Sequence, residues 1–194
     1  MTPYEASILA GRVYSDPPTI GAADSSSRLK IYETPEGVVH ALRGTDNIMS
    51  AIADGNIDQA EVWGMGKLHE GFWDSMASIL PAARAAGTPS VIVGHSLGAA
   101  MAIIYAGVLA LQGVVVPVFA FEPPKVAGDD VLRDLLTSKR VPVYATRNGN
   151  DLVTQLPPGF QHAVDLVDIG KAEHVWPNIE DHEIAAVQAA LKEA

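Results

Sequence analysis

Ser96 lies in a segment whose residue types suit a nucleophile. The apolar run VIVGH at residues 91–95 leads into GHSLG at residues 94–98, and small residues follow. A sharp turn from a strand into a helix lifts a serine hydroxyl clear of the sheet, and the two flanking glycines permit the tight backbone. The alternative is a chance pentapeptide in which Ser96 only caps a helix. The buried strand before it and the small-residue helix after it favour a catalytic serine.

A serine nucleophile needs a base, and the layout leaves two histidines for that role. Where a serine sits on such a turn, the acid and then the histidine follow it along the chain. His162 precedes the last predicted strand, whereas His174 and His182 both follow it. A loop after the last strand is where a catalytic histidine is expected. The layout favours His182, at the start of the terminal helix, over His174.

The third member of the group is an acid that orients the histidine, and two carboxylates are candidates. The predicted strand at residues 141–147 is followed by Asn-Gly-Asn-Asp, a turn-forming segment whose last residue is Asp151. Glu122 follows the preceding strand and is the rival acid, with a salt bridge or a cap as its ordinary role. Asp151 fits the expected position better.

Ester chemistry also needs hydrogen-bond donors for the oxyanion. The backbone N–H of Leu97, directly after the nucleophile, is one expected donor, and the loop after an early strand supplies the other. That loop carries Gly44 and Thr45, and Thr45 offers both a backbone N–H and a hydroxyl. The alternative is an ordinary Gly-Thr turn. This chemistry requires no metal or organic cofactor.

Strands alternating with helices must position these residues. Such alternation predicts an α/β fold with a mostly parallel sheet, and 194 residues suit one domain spanning 1–194. Apolar periodicity predicts strands at residues 29–32, 38–42, 91–95, 114–121, 141–147 and 164–169. It predicts helices at residues 4–14, 68–86, 97–112, 129–138 and 181–192, the second of them bent at Pro81.

Composition excludes some classes of function. The formal net charge of −10 argues against a nucleic-acid binder. No apolar stretch is long enough to span a bilayer. The chain has no cysteine and shows no signal peptide, so a cytoplasmic location is favoured over secretion. The oligomeric state is not readable from the sequence.

The chain resembles the class 3 lipases, the fungal triacylglycerol-lipase type of α/β-hydrolase. The matching segments follow the family's order from residue 38 to residue 182: LRGT at 42–45, LHEGF at 68–72, VGHSLGAA at 93–100, NDLV at 150–153 with LPP at 156–158, and Asp181-His182. The resemblance implies Ser96 as nucleophile, Asp151 as acid and His182 as base. It implies Thr45 and Leu97 as oxyanion donors and gives His69 a structural role.

The sequence departs from the family in one segment near the expected site. The family commonly has Gly–small–Pro–Arg after the strand that follows the serine, whereas this chain has FEPPK at residues 121–125, with a carboxylate at Glu122. The family's lid would fall at residues 46–58, DNIMSAIADGNID, whose apolar positions could form a small flap over the pocket. The alternative is that these apolar residues complete the core.

These features together predict a serine carboxylic-ester hydrolase acting on lipid or short- to medium-chain acyl esters, with transient contact to a lipid surface. Three alternatives keep the same triad: a phospholipase, an acyltransferase and a thioesterase. A fourth is an inactive hydrolase-fold binding module, which the complete set of site residues disfavours.

Overall fold

The computed structural model describes residues 1–45, 58–172 and 175–193. Within these ranges the strands are β1 (Leu29–Thr34), β2 (Gly37–Leu42), β3 (Gln59–Val62), β4 (Gly66–His69), β5 (Val91–His95), β6 (Val118–Phe121), β7 (Val143–Asn148) and β8 (Leu166–Ile169). The α-helices are α1 (Pro3–Arg12), α2 (Glu70–Ala85), α3 (Leu97–Leu111), α4 (Val131–Ser138) and α5 (Ile184–Glu193). Two short 3-10 helices, Val153–Gln155 and Glu180–His182, lie in loops.

Six strands form one sheet in the order β1-β2-β5-β6-β7-β8. The hairpin pair β1 and β2 is antiparallel, and every other neighbouring pair in this sheet is parallel. The predicted mostly parallel α/β sheet is therefore confirmed. The flap predicted at residues 46–58 falls, apart from Asp58, outside the described residues.

Helices cover both faces of the sheet. One apolar cluster joins α1 and α5 to the sheet residues Val91 and Val93, and the other joins α2, α3 and α4 to Ile92. This alternation along β5 follows from the two-residue repeat of a strand, and it leaves all five residues of β5 buried. Ser96 thus emerges from the most enclosed strand of the sheet.

Helix α3 lies in the middle of the core. All of its residues from Leu97 to Ala110 are buried, which is the pattern of a helix that is apolar on every side. Small residues at Gly98, Ala99 and Ala100 let its first turn approach the sheet closely. The helix that begins directly after Ser96 is therefore surrounded by packed core residues.

A second small sheet, formed by β3 and β4, lies where no strand is predicted. Strands β3 and β4 pair in an antiparallel hairpin, and Gly64 in the turn and Gly66 at the start of β4 both have positive φ. The segments QAEV and GKLH are short and partly polar, so periodicity does not reveal them. As a result, α2 begins at Glu70, two residues later than predicted, with Pro81 inside it.

Other element boundaries differ from the prediction by a few residues. The strand predicted at 114–121 is confined to Val118–Phe121, because Pro117 lacks the N–H that a ladder needs. The terminal helix begins at Ile184, and the preceding Glu180–His182 forms a 3-10 turn. That turn carries one of the predicted site residues.

Candidate active site

Ser96 occupies a strained backbone position between β5 and α3. Its φ is 59° and its ψ is −129°, a combination that L-residues other than glycine rarely adopt. Its backbone N–H donates to Phe121 O at 2.9 Å, which ties the turn to the neighbouring strand. The side chain is buried, and its Oγ has no hydrogen-bond partner. A hydroxyl held in this way is available to a reacting group.

The two glycines of the GHSLG segment are required by close packing. A Cβ on Gly94 would lie 2.7 Å from Ala99 N in the first turn of α3. A Cβ on Gly98 would lie 2.8 Å from Leu42 C, at the end of β2. Both neighbours are backbone, so neither can move aside cheaply. The glycines therefore bring the serine turn against the strand end that leads to Thr45.

Asp151 and His182 are joined by a hydrogen bond. His182 Nδ1 lies 3.0 Å from Asp151 Oδ2, and both side chains are buried. Asp151 Oδ1 accepts from Val153 N at 2.8 Å, so the carboxylate is held at both oxygens. This pairing makes Nδ1 the donor and leaves Nε2 as the basic nitrogen. His182 Nε2 is buried and has no hydrogen-bond partner.

The loops that carry Asp151 and His182 are tied together by backbone contacts. Asp151 forms a parallel bridge with Asn178, in which Leu152 N donates to Asn178 O at 2.9 Å. Asp181 Oδ2 accepts from Asn150 N at 2.8 Å. These bonds hold the two loops against each other and so support the hydrogen bond between the acid and the histidine.

His95 links the serine strand to the histidine loop. Its Nε2 lies 2.8 Å from His182 O, and its ring lies 4.8 Å from the His182 ring. Since a carbonyl only accepts, Nε2 carries the proton and Nδ1 accepts from the Tyr14 hydroxyl at 2.7 Å. Burial lowers the pKa of His95 to about 3, with a smaller effect from His182. His95 thus packs directly against the histidine of the candidate site.

The predicted oxyanion donors flank Ser96. Leu97 is the first residue of α3, where helix N–H groups lack intrahelical partners. The segment of Gly44 and Thr45 lies against the serine, since a Cβ on Gly44 would be 3.1 Å from Ser96 Cβ. One predicted donor thus directly follows Ser96 in the chain, and the residue before the other, Gly44, packs against Ser96.

Glu122 lies at the end of β6 and is fully buried. Its Oε1 accepts from Thr146 Oγ1 at 2.9 Å and its Oε2 from Asn148 N at 2.8 Å. Burial, and then the charge of Asp151, raise the pKa of Glu122 well above its ordinary value. Of the two candidate acids, Asp151 is the one that bonds His182.

The remaining histidines have other surroundings. The ring of His69 stacks on Phe72 at 4.0 Å, in agreement with a structural role. His162 Nε2 lies 2.8 Å from Thr154 O. The rival base His174 lies outside the described residues.

Sequence reasoning missed Tyr14 and the inward orientation of His95. Tyr14 is only the last residue of the helix predicted at residues 4–14, and its contact with His95 spans 81 positions along the chain. No local pattern signals such a pair. His95 directly precedes Ser96, and this position in the sequence already indicates that His95 lies near the site.

Two negative findings apply to residues 1–45, 58–172 and 175–193. No group of three or more His, Cys, Asp or Glu side chains is arranged to hold a metal ion. None of the helices in these ranges is both long and apolar enough to cross a membrane.

Comparison with known proteins places the chain among lipases. The sequence model of the family "Lipase (class 3)" matches residues 39–161. A secreted mono- and diacylglycerol lipase of Fusarium solani is 28% identical over 173 residues, which are 81% of this chain and 50% of the relative. The chain thus spans half the length of that relative.

Solved structures of fungal lipases share the fold. Lipase II from Rhizopus niveus superposes with a TM-score of 0.64 at 22% identity, over 77% of this chain and 63% of that one. The mono- and diacylglycerol lipase from Aspergillus oryzae gives a TM-score of 0.67 at 20% identity, over 93% and 81%. These similarities establish the α/β-hydrolase fold that the sequence predicts.

The comparison overturns the predicted location. The Fusarium solani relative is a secreted protein, so favouring the cytoplasm over secretion was wrong. The lack of cysteine was a poor guide, because a domain of this size buries enough apolar surface to fold without disulfides.

Proposed function

Because the chain belongs to the class 3 lipase family, we propose that it is a serine carboxylic-ester hydrolase acting on lipid or short- to medium-chain acyl esters. The observation that carries the proposal is the hydrogen bond from His182 Nδ1 to Asp151 Oδ2. It leaves Nε2 as a base, and neither this nitrogen nor the Ser96 hydroxyl is engaged by another hydrogen-bond partner.

The first half of the reaction forms an acyl-enzyme. Ser96 Oγ attacks the ester carbonyl carbon while its proton passes to His182 Nε2. Asp151 stabilises the resulting imidazolium. The N–H of Leu97 and the donors of Thr45 receive the oxyanion, and losing one such donor costs roughly 3 kcal/mol in the transition state. Collapse of the tetrahedral intermediate expels the alcohol, which takes the proton from His182.

The second half releases the acid. Water gives a proton to His182 Nε2 as it attacks the acyl carbon. The second tetrahedral intermediate then breaks the bond to Ser96 Oγ, and the serine recovers its proton. One ester bond and one water become an alcohol and a carboxylic acid, and the chain's own residues supply every group in these steps.

A lipid surface is the proposed site of encounter with substrate. Val175 and Trp176 are 88% and 79% exposed, and Ile179 is 39% exposed. They belong to the loop that pairs with Asp151 through Asn178 and continues into His182. Apolar side chains of this size on the histidine loop favour contact with ester groups presented in a lipid aggregate.

The deciding experiment compares Ser96→Ala with the wild type on p-nitrophenyl esters of increasing acyl length, with and without a lipid interface. The variant should lose turnover while its circular dichroism is kept. Labelling by a fluorophosphonate should occur in the wild type and fail in Ser96→Ala. Retained turnover in the variant would remove Ser96 from the mechanism. A wild type that neither turns over ester nor takes the label would instead indicate a binding module.

A further inference from the structure

Glu122 is a buried carboxyl in an unusual backbone conformation. Its φ is 53°, a region that favours glycine, and its side chain has no exposed surface. Glycine adopts such a φ without strain, whereas a residue with a side chain does not. A glutamate here adds both backbone strain and the desolvation of an acid. Neither cost is explained by the steps proposed for Ser96, His182 and Asp151.

The surroundings of Glu122 hold its carboxyl in one place. The Thr146 hydroxyl donates to Oε1, and the Asn148 N–H donates to Oε2. Both donors belong to β7, the strand that ends directly before the loop of Asp151. The carboxyl is therefore fixed beside the acid of the proposed triad.

Asn148 brings the two acids together, because its N–H donates to Glu122 Oε2 at 2.8 Å and its carbonyl accepts from Asp151 N at 3.1 Å. After burial, the negative charge of Asp151 and a hydrogen bond with its side chain are the causes that raise the pKa of Glu122, against the lowering effects of Asn148 and Thr146. Adjacent buried carboxyls cannot both stay ionised without a cation between them. His182 lies on Oδ2 of Asp151, and Asp181 receives its own donors from Asn150 and Asn178.

We propose that Glu122 is a positioning residue that remains a neutral carboxylic acid and donates a hydrogen bond to the Asp151 carboxylate. This inference rests on the proposed function, because its role is to hold the acid of that site. Asp151 then receives three donors: Val153 N–H, His182 Nδ1–H and the Glu122 hydroxyl. Its oxygens are fixed toward His182 without a second negative charge in the site.

Two substitutions separate this role from simple packing. Glu122→Gln keeps the size and a donor, because its amide can donate to Asp151 while its oxygen accepts from Asn148 N–H. The Thr146 hydroxyl can turn to accept from the same amide. Glu122→Gly removes the donor and also relieves the positive φ, so backbone strain cannot explain any loss of activity. Thermal unfolding establishes that both variants fold.

The kinetic expectation follows from the loss of one hydrogen bond to a charged group. Glu122→Gly should lose roughly 10- to 100-fold in kcat with KM little changed, whereas Glu122→Gln should stay close to the wild type. Infrared spectra of the wild type at neutral pH should contain the carbonyl stretch of a protonated carboxylic acid, and Glu122→Gln should lack it. A merely structural role would not produce that band.

The inference is overturned if the wild type lacks the band, if Glu122→Gln is as impaired as Glu122→Gly, or if Glu122→Gly turns over like the wild type. Ser96→Ala is assayed beside them. If Ser96→Ala keeps its turnover, the proposed function fails, and the infrared band still decides whether Glu122 is protonated. If Ser96→Ala is inactive while Glu122→Gly is unaffected, only the present inference fails.

Discussion

His182 Nδ1 and Asp151 Oδ2 lie 3.0 Å apart, and Asp151 Oδ1 is already occupied by the N–H of Val153. The carboxylate therefore faces the imidazole with one defined oxygen. Because that oxygen can only accept, it determines which nitrogen of His182 carries the proton.

Asp151→Asn should lower kcat by about 10⁴-fold. The asparagine oxygen remains with Val153 N–H, so its NH₂ faces His182 Nδ1 and forces that nitrogen to accept. The proton then sits on Nε2, which can no longer take the proton of Ser96. Steady-state hydrolysis of a p-nitrophenyl ester measures the loss.

Asp181→Asn is the matched control for Asp151→Asn. Asp181 is buried beside His182, but its carboxylate accepts from Asn150 N and Asn178 Nδ2. This variant should lose some stability and keep turnover per folded molecule far above that of Asp151→Asn. Equal losses in the two variants would contradict the assignment of the acid.

Ser96→Gly should be more stable than Ser96→Ala by about 1 kcal/mol. Both substitutions remove the hydroxyl, but only glycine relieves a φ of 59°. Urea unfolding of the two variants gives the difference. If alanine proves as stable as glycine, the turn at residue 96 is not strained.

Gly98→Ala should destabilise the fold by about 1–3 kcal/mol and reduce turnover. The added methyl meets the backbone of Leu42 and Arg43, at 2.8 Å and 2.9 Å from their carbonyl carbons. Pushing that strand end away also shifts the segment of Thr45. Thermal unfolding and ester hydrolysis check both effects.

Gly71→Ala provides the control for Gly98→Ala. Gly71 lies in helix α2, and among the described residues its Cβ would meet the His69 ring at ordinary contact distances, Cε1 at 3.4 Å and Nδ1 at 3.6 Å. It should gain up to about 1 kcal/mol from helix propensity. If both alanines behave alike, close packing is not what requires Gly98.

In His95→Gln, the free energy of unfolding should fall less steeply at acid pH than it does in the wild type. Burial lowers the folded pKa of His95 to about 3, against about 6.5 in the unfolded chain. Only the unfolded chain binds the proton between these values, so the stability present above pH 6.5 falls by about 1.4 kcal/mol per pH unit as pH drops toward 3. Glutamine keeps a donor for His182 O and an acceptor for Tyr14.

The measurement for His95→Gln is the free energy of unfolding in urea at a series of pH values. His40, whose pKa burial lowers to about 4, titrates in the wild type and the variant alike and cancels in their difference. Parallel curves for the two proteins would show that His95 is not held neutral by the fold.

Trp176→Ala should weaken adsorption to vesicles of zwitterionic phospholipid, and Trp63→Ala should not. Both side chains are highly exposed, 79% and 86%. Trp63 and Leu111 line the same surface cavity. Leu111 is the last residue of α3, which begins directly after Ser96, so a rise of 1.5 Å per residue puts Leu111 roughly 22 Å from Ser96. Co-sedimentation with vesicles measures binding. Equal losses in the two variants would mean that the histidine loop does not face the lipid.

Sequence reasoning can reach a feature only where that feature has a local signal. Ser96 sits in a five-residue pattern after an apolar strand, and Asp151 sits in a turn after another. The mostly parallel sheet follows from the alternation of apolar runs. Each of these signals is contained within about a dozen residues, so it can be read without knowing the packing.

The remainder depends on contacts between distant parts of the chain. The hydrogen bond of Tyr14 to His95 and the pairing of Asp151 with Asn178 each join separate elements. Whether Glu122 or Asp151 bonds the histidine is decided by which strand end the histidine loop reaches. The hairpin of β3 and β4 escapes prediction for another reason: its strands are four residues long and lack a clear apolar alternation.

Helix α3 is enclosed on every side from Leu97 to Ala110. Its amide hydrogens can reach solvent only when the surrounding layers separate, so their exchange with deuterated water should report global opening. No partial opening can then release the serine turn on its own. Inactivation by heat and loss of the native core should therefore occur as a single event. Natural variation in substrate choice should arise in the loops rather than in β5 and α3, which hold Ser96.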